Sequence, residues 1–353
     1  MNISKIYKDY QNAITRNRRM KRANEHIPSS PSIPLTSEEK HSISSLWNPY
    51  LSKGLLSKTY MKCFPFYKSF REDFDQLIPS DFYSIATAKM NIGWGKGFLS
   101  HKANLHYFIP EVNRPITIIY DVNGHRYDSN NKSINKEQAS SILSSKDEFV
   151  YKKAIYTGSG RDVMKYENAS RSQIDNILNS TNYIIQEVVL QHPFMSNFNS
   201  SSVNTIRMET LNLNDTCSVL SAFIRIGAKG SFVDNISGRE GMVVGVDDNG
   251  NLCDFGLNKD YEKVFVSSSG MKFKGLTIPN YSVIKDMIKN FHKSFPVANI
   301  INWDIAIAED GTIKIIEINL DSMNPLYHQI FNGSIFKERS KEVIDYVTNM
   351  LNQ

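Results

Sequence analysis

The chain has 353 residues, 41% hydrophobic and 22% charged, with a formal net charge of +5. That length buries a sizeable core in two or three subdomains, and the composition is that of an ordinary globular protein. Three widely spaced cysteines argue against a disulfide framework, and no apolar run reaches transmembrane length, so the expectation is a soluble, cytoplasmic chain.

The first 62 residues carry 11 Lys/Arg against 4 Asp/Glu, whereas the remainder is close to neutral, which argues against a nucleic-acid partner. The excess lies mainly in RNRRMKR, residues 16–22. Before it, Ile3, Ile6, Tyr7, Tyr10, Ala13 and Ile14 follow helical spacing. A basic amphipathic helix of this kind either packs on its own protein or lies on an anionic membrane. Packing is the favoured reading. Weak peripheral attachment through residues 1–25, at the inner face of a membrane, is the other.

Residues 28–40, PSSPSIPLTSEEK, read as a linker and residues 41–90 as mainly helical. PITIIYDVNGHRYD, residues 115–128, predicts a hairpin turned at Asn-Gly. A short helix over 135–144 leads into FVYKKAIYTGSGRDV, a strand bearing Lys152 and Lys153 and then a loop with Gly158 and Gly160. Glycines let backbone N–H groups cradle phosphate oxygens, although an ordinary hairpin loop has the same composition. A strand follows over 183–189. NTIRMETL and SVLSAFIRIGA pair as strands, and 241–257 repeats the pattern. A helix over 280–294 precedes the last hairpin, and another closes the chain over 334–351.

The last hairpin, NWDIAIAEDGTIKIIEIN (302–319), has an Asp-Gly turn. A two-residue turn at Asp310-Gly311 sets Asp304 opposite Glu317 and Asn302 opposite Asn319, all on one face. Trp303, Ile305, Ile307, Ile316 and Ile318 then form the core face. Directly opposed carboxylates repel, so a cation between them is expected. Oxygen ligands suit Mg²⁺. A solvated acidic pair at a sheet edge is the plainer alternative. Arg207 and Arg225, each inside an apolar strand, need partners if buried. An ion pair with Glu209 is one option and a role in catalysis another.

Taken together, a lysine before a helix (Lys102), a strand lysine (Lys152, or Lys153 in the other register), a glycine loop, the strand IIQEVV and then Asp304, Glu317 and Asn319 resemble the ATP-grasp superfamily. SSVNTIRMETL, AFIRIGAKGSFVDNISGREG and WDIAIAEDGTIKIIEIN look like the sugar-transfer-associated members, over most of 95–345. The resemblance implies an α+β fold in which two subdomains grip ATP, with a helical, basic N-terminal extension. It implies a division into 1–90, a preceding region over 91–146, a small subdomain over 147–190 and a large one over 191–353. It further implies Mg²⁺ or Mn²⁺ on Asp304, Glu317 and Asn319, phosphate contacts from Lys102, Lys152 or Lys153, Gly158 and Gly160, and adenine contacts from Gln186, Glu187, Val188 and Val189. The D-alanine ligases carry arginine where Asn302 stands, and Arg225, supported by Arg207, is the expected replacement.

The function so implied is an ATP- and Mg²⁺-dependent ligase of bacterial surface polysaccharide assembly. It would join the carboxylate of a sugar or amino acid to an amine through an acyl phosphate. A phosphotransferase on the same fold and a non-catalytic nucleotide-binding accessory protein are the alternatives.

Overall fold

Helices come first because the early sequence alternates apolar groups at three- and four-residue intervals. They are α1 (Ile3–Glu25), α2 (Ser37–Leu51), α3 (Phe64–Lys68), α4 (Ser80–Met90) and α5 (Gly93–Leu99). The computed structural model describes residues 3–91, 93–155, 162–234, 236, 240–295, 298–321 and 324–352, with the main chain alone at 3–10, 94 and 352. α2 starts inside the stretch read as a linker, because Thr36 and Glu39 cap each other's backbone N–H groups. α1 packs along α4. Met20 is buried, Ala13 and Ile14 are half-buried, and Arg18, Lys21 and Arg22 point outward.

The first sheet has the order β2-β1-β5-β3-β4 and is antiparallel throughout. Its strands are β1 (Thr117–Val122), β2 (His125–Asp128), β3 (Glu148–Lys153), β4 (Val163–Glu167) and β5 (Tyr183–Gln186). Asn123 and Gly124 take φ of 54° and 86°, the left-handed pair that an Asn-Gly hairpin turn requires. Phe149, Tyr151, Tyr183 and Ile185 face a core shared with α6 (Lys136–Ser144) and α7 (Arg171–Leu178). Val150 and Lys152 take the other face by strand alternation. β5 stops at Gln186, three residues before the expected end. One further bond, Glu187 N–H donating to Ile116, follows the strand beside β1, and by His192 the N–H donates to Ile307 instead.

After a single turn, α8 (Pro193–Ser196), the second sheet follows in the order β10-β9-β8-β7-β6-β11-β12. Its strands are β6 (Thr205–Leu213), β7 (Thr216–Ile226), β8 (Met242–Val246), β9 (Leu252–Asn258), β10 (Lys263–Val264), β11 (Ile300–Ile307) and β12 (Ile313–Asn319). One face, with Met208, Ile224, Trp303 and Ile315, buries against α9 (Tyr281–Lys293). On the other, Leu211, Leu220, Phe223 and Ile300 pack with Trp47, Phe64 and Phe82 of the N-terminal helices. α10 (Leu326–Asn332) and α11 (Ser340–Asn352) complete that layer. The N-terminal helices are therefore a third layer of the large sheet.

A polar cluster lies inside that interface. Glu209 is fully buried and accepts from Tyr83 Oη at 2.5 Å and from Asn302 Nδ2 at 2.6 Å. Its Oε1 has no hydrogen-bond partner among the described residues. Burial pushes its carboxyl up to about 7, with Tyr83, Asn302 and Arg207 opposing. Burial also drives nearby His328 down to about 3, so the imidazole is neutral and offers no counter-charge.

The folded state holds the Glu209 proton more tightly than the unfolded chain. This group's contribution to stability is therefore full below about pH 4.5 and is lost as pH rises to about 7. Urea unfolding of Glu209→Gln should show that part of the slope removed, a change of up to roughly 3 kcal/mol between pH 4.5 and 7.5 relative to wild type. An unchanged slope would place the carboxyl's titration elsewhere.

Candidate active site

The β11–β12 hairpin carries the acids in the expected register, for a different reason than a two-residue turn. The loop has three residues, with Ala308 N–H donating to Thr312 at 2.8 Å and Gly311 at φ 83°. Residues near the turn therefore pair one position off, as Ile307 with Ile313 and Ile305 with Ile315. A bulge between Asp304 and Ile305 then restores the pairing of Asp304 with Glu317 and Asn302 with Asn319. The extra residue is Ile316. It turns into a cavity beside Glu317, and Ile315 takes the core position instead.

The cations that relieve the opposed acids come from the protein. Arg207, opposite Asp304 on β6, forks it with Nε–Oδ1 at 2.6 Å and Nη2–Oδ2 at 2.5 Å. The partner is Asp304; Glu209 pairs with Asn302 two residues along. Burial opposes ionisation of Asp304, but Arg207 and then Arg225 outweigh it and hold the carboxyl below its usual range. Lys102 Nζ takes Glu317 Oε1 at 2.8 Å. Asn319 Nδ2 donates to Asp304 Oδ2 at 3.4 Å. Arg225, on β7, sits 3.6 Å from Asp234 and 3.7 Å from Asp304, beyond hydrogen-bond range of both. Asp234 accepts from Thr205 Oγ1.

These groups line one cavity of about 360 Å³ between the two sheets, within the size range of small-molecule sites. Val150 and Lys152 come from the small sheet, Glu187 and Val189 from the connection, and Arg207, Arg225, Asp304, Glu317 and Asn319 from the large one. Lys152 is enclosed. Burial, reinforced by Lys102, brings its ammonium down to about 8, although Glu317, Asp234 and Asp304 pull the other way. Two carboxylates and an amide oxygen make an all-oxygen set that could hold Mg²⁺ or Mn²⁺. Among the described residues no three His, Cys, Asp or Glu side chains form such a group, so the set depends on Asn319.

Of the residues expected from the sequence, Lys102, Lys152, Glu187, Val189, Arg207, Arg225, Asp304, Glu317 and Asn319 come together here. Lys153 is exposed and does not line the cavity. Gln186 is buried, with Nε2 3.5 Å from the Pro115 carbonyl, and Val188 lines the shallow cleft next door. Gly158 and Gly160 lie outside the described residues. Sequence reasoning missed Asp234, Thr205 and Asp321, which also line the cavity. Asp321 stands two residues past Asn319, where it could have been noticed. The others come together only through β6–β7 pairing and the segment that follows.

A sequence model of the family described as sugar-transfer associated ATP-grasp matches residues 115–345. No curated protein sequence matches. Among solved structures, the ATP-grasp ligase PsnB complexed with minimal precursor is similar at 12% identity and a TM-score of 0.42, over 72% of this chain and 63% of that one. D-alanyl-alanine synthetase A from Vibrio cholerae O1 biovar eltor is similar at 13% and 0.40, over 73% and 65%. N5-carboxyaminoimidazole ribonucleotide synthetase from Thermotoga maritima gives 10% and 0.41, over 71% and 51%. The chain thus spans less than two thirds of each of these structures.

Lys152 is charged at neutral pH at a cost to the fold. Its folded value of about 8 lies below the ordinary 10.5, so the cost is present below pH 8 and disappears as pH rises toward 10.5. Lys152→Met should therefore stabilise the ligand-free protein by roughly 1–3 kcal/mol at pH 7. The same variant should bind ADP at least tenfold more weakly. Between pH 8 and 9.5, calorimetry in buffers of different ionisation enthalpy should find proton uptake on ADP binding to wild type and none for the variant.

Proposed function

Because the chain belongs to the sugar-transfer associated ATP-grasp family, we propose that it is an ATP-dependent ligase joining a carboxylate to an amine. The observation that carries this reading is the meeting, in one cavity between two sheets, of four cations with an all-oxygen donor set. The cations are Lys102, Lys152, Arg207 and Arg225, and the donors are Asp304, Glu317 and Asn319. Fixed positive charge in an enclosed site stabilises charge that develops on a transferring phosphoryl group.

The apolar walls Val150, Val189 and Ile316, with the connection Glu187–Val189, suit an adenine ring. Lys152 and Lys102 then face the phosphates. Glu317 and Lys102 neutralise each other in the ligand-free state, so a phosphate competes for Lys102 and leaves Glu317 for a cation. A Mg²⁺ or Mn²⁺ ion on Asp304, Glu317 and Asn319 would screen the phosphate charge. In the first step the substrate carboxylate oxygen attacks the γ-phosphorus and the bond to ADP breaks. In the second, an amine nitrogen attacks the acyl carbon, phosphate departs with the electron pair of the C–O bond, and the amine loses a proton. Arg225, whose acids lie beyond hydrogen-bond range, is the guanidinium best disposed to take the acyl phosphate. Arg207 is committed to Asp304 and positions it.

The family's description, sugar-transfer associated, is what supports a place in surface polysaccharide assembly; the carboxylate would then lie on a sugar or amino acid. No helix among the described residues is long and apolar enough to cross a membrane. A weak attachment to anionic membrane would rest on the outward Arg18, Lys21 and Arg22. It should vanish in liposome sedimentation of the R18E/K21E/R22E variant at low salt, and sedimentation unchanged by charge reversal would remove it.

Product analysis tests the reaction. ADP with free phosphate and an amide supports the ligase, whereas ADP with a phosphorylated acceptor selects phosphotransfer. Neither product in any assay would favour a nucleotide-binding accessory protein. Glu317→Gln should fold and nearly abolish turnover. Arg225→Lys keeps the charge but not the fork, so it should lower kcat at least tenfold with little change in the KM for ATP. A raised KM for ATP with kcat intact would make Arg225 a binding residue and Arg207 the better catalytic choice.

A further inference from the structure

Asp321 lines the cavity and is held from behind by two N-terminal helices, outside the segment that matches the family. The connection around Leu190 bonds the turn end of the β11–β12 hairpin, with Glu309 N–H donating to Leu190 at 2.8 Å. From Ile316 the strand runs roughly 10 Å to Asn319. Asp321 lies two residues beyond the strand end and also lines the cavity. Arg19 of α1 forks it, with Nη1–Oδ1 at 2.5 Å and Nη2–Oδ2 at 2.7 Å. Lys96 of α5 stands 3.9 Å from Oδ2, its Nζ donating to the Ala88 carbonyl at 3.3 Å. Arg19 and Asp321 are both about one-third exposed, 28% and 35%.

Two cations thus face one carboxylate. The Arg19 fork already holds a carboxylate in bidentate geometry, which shows that one fits. The Asp321 carboxylate borders the same cavity and suits an ammonium or hydroxyl donor. We propose that Arg19 and Lys96, with Asp321, form the acceptor subsite, taking a substrate that carries a carboxylate next to an ammonium or hydroxyl group. This rests on the ligase reading, which puts the phosphates between the hinge and this end. Substrate carboxylate takes Arg19 and Lys96, and its neighbouring donor takes Asp321. Both amino acids and uronic acids have that chemistry.

The test uses the full-length protein with Mg²⁺ and AMP-PNP in a calorimeter. Glycine, alanine, glutamate, glucuronate and galacturonate are each titrated beside their methyl esters. At least one acid should bind, with its ester at least tenfold weaker, and whether it is an amino acid or a uronic acid names the source. Arg19→Ala should weaken that acid at least tenfold while AMP-PNP affinity stays within twofold. Lys96→Gln, on a separate helix, should weaken it at least threefold and guards against misfolding of the first variant. Equal binding of acid and ester, no binding of any acid, or wild-type affinity in both variants overturns the subsite. Failure of AMP-PNP itself to bind would instead sink the nucleotide reading, and the acids titrated alone would still judge Arg19.

Discussion

Two carboxylates face each other across a β-ladder, and the rest of the site answers to that. Asp304 and Glu317 are direct cross-strand neighbours, an arrangement that is unfavourable unless positive charge lies close. The neighbouring strands supply it from Arg207 and Arg225, and a lysine from the segment before the small sheet supplies the rest. Each cation comes from a different element. The chain therefore closes its two sheets around the acids, and the cavity is what remains between them. On the proposed reading, a polyphosphate with its metal carries both signs of charge and would exchange for these ion pairs without leaving a buried charge alone.

The same layout explains why perturbed groups sit where they do. Lys152 has no ion pair among the described residues, and burial lowers it to about 8. Glu209 has hydroxyl and amide donors but, among the described residues, no cation in contact, and burial raises it to about 7. The first looks into the cavity and is poised for an anionic ligand. The second is sealed between the large sheet and α4, and ties the N-terminal helices to β6 and β11 through Tyr83 and Asn302. One is a cost connected with binding and the other a cost within the scaffold.

The N-terminal helices pack on the protein, the favoured of the two readings of their sequence. α1 packs along α4 with Met20 buried, and it turns Arg19 onto Asp321, a contact that composition does not indicate. Arg18, Lys21 and Arg22 point outward. The layer both completes the hydrophobic core of the large sheet and holds Asp321 at the cavity wall.

Local pattern was enough for much of this. Side-chain alternation and the Asn-Gly and Asp-Gly turns specified the hairpins, and spacing set Asp304, Glu317 and Asn319 on one face, because strand periodicity and turn chemistry are short-range. Even so, the register of the last hairpin came out right through two compensating offsets, a longer turn and a bulge at Ile316 that no pairing rule on the sequence reveals. The arginine partners also lay beyond it. Arg207 meets Asp304 across 97 positions and Arg19 meets Asp321 across 302. Such pairs arise from which strands become neighbours and which helix covers them. Those choices are made by burial summed over the whole chain, so only the tertiary structure decides that the carboxylates are neutralised by these residues and that the N-terminal helix reaches Asp321.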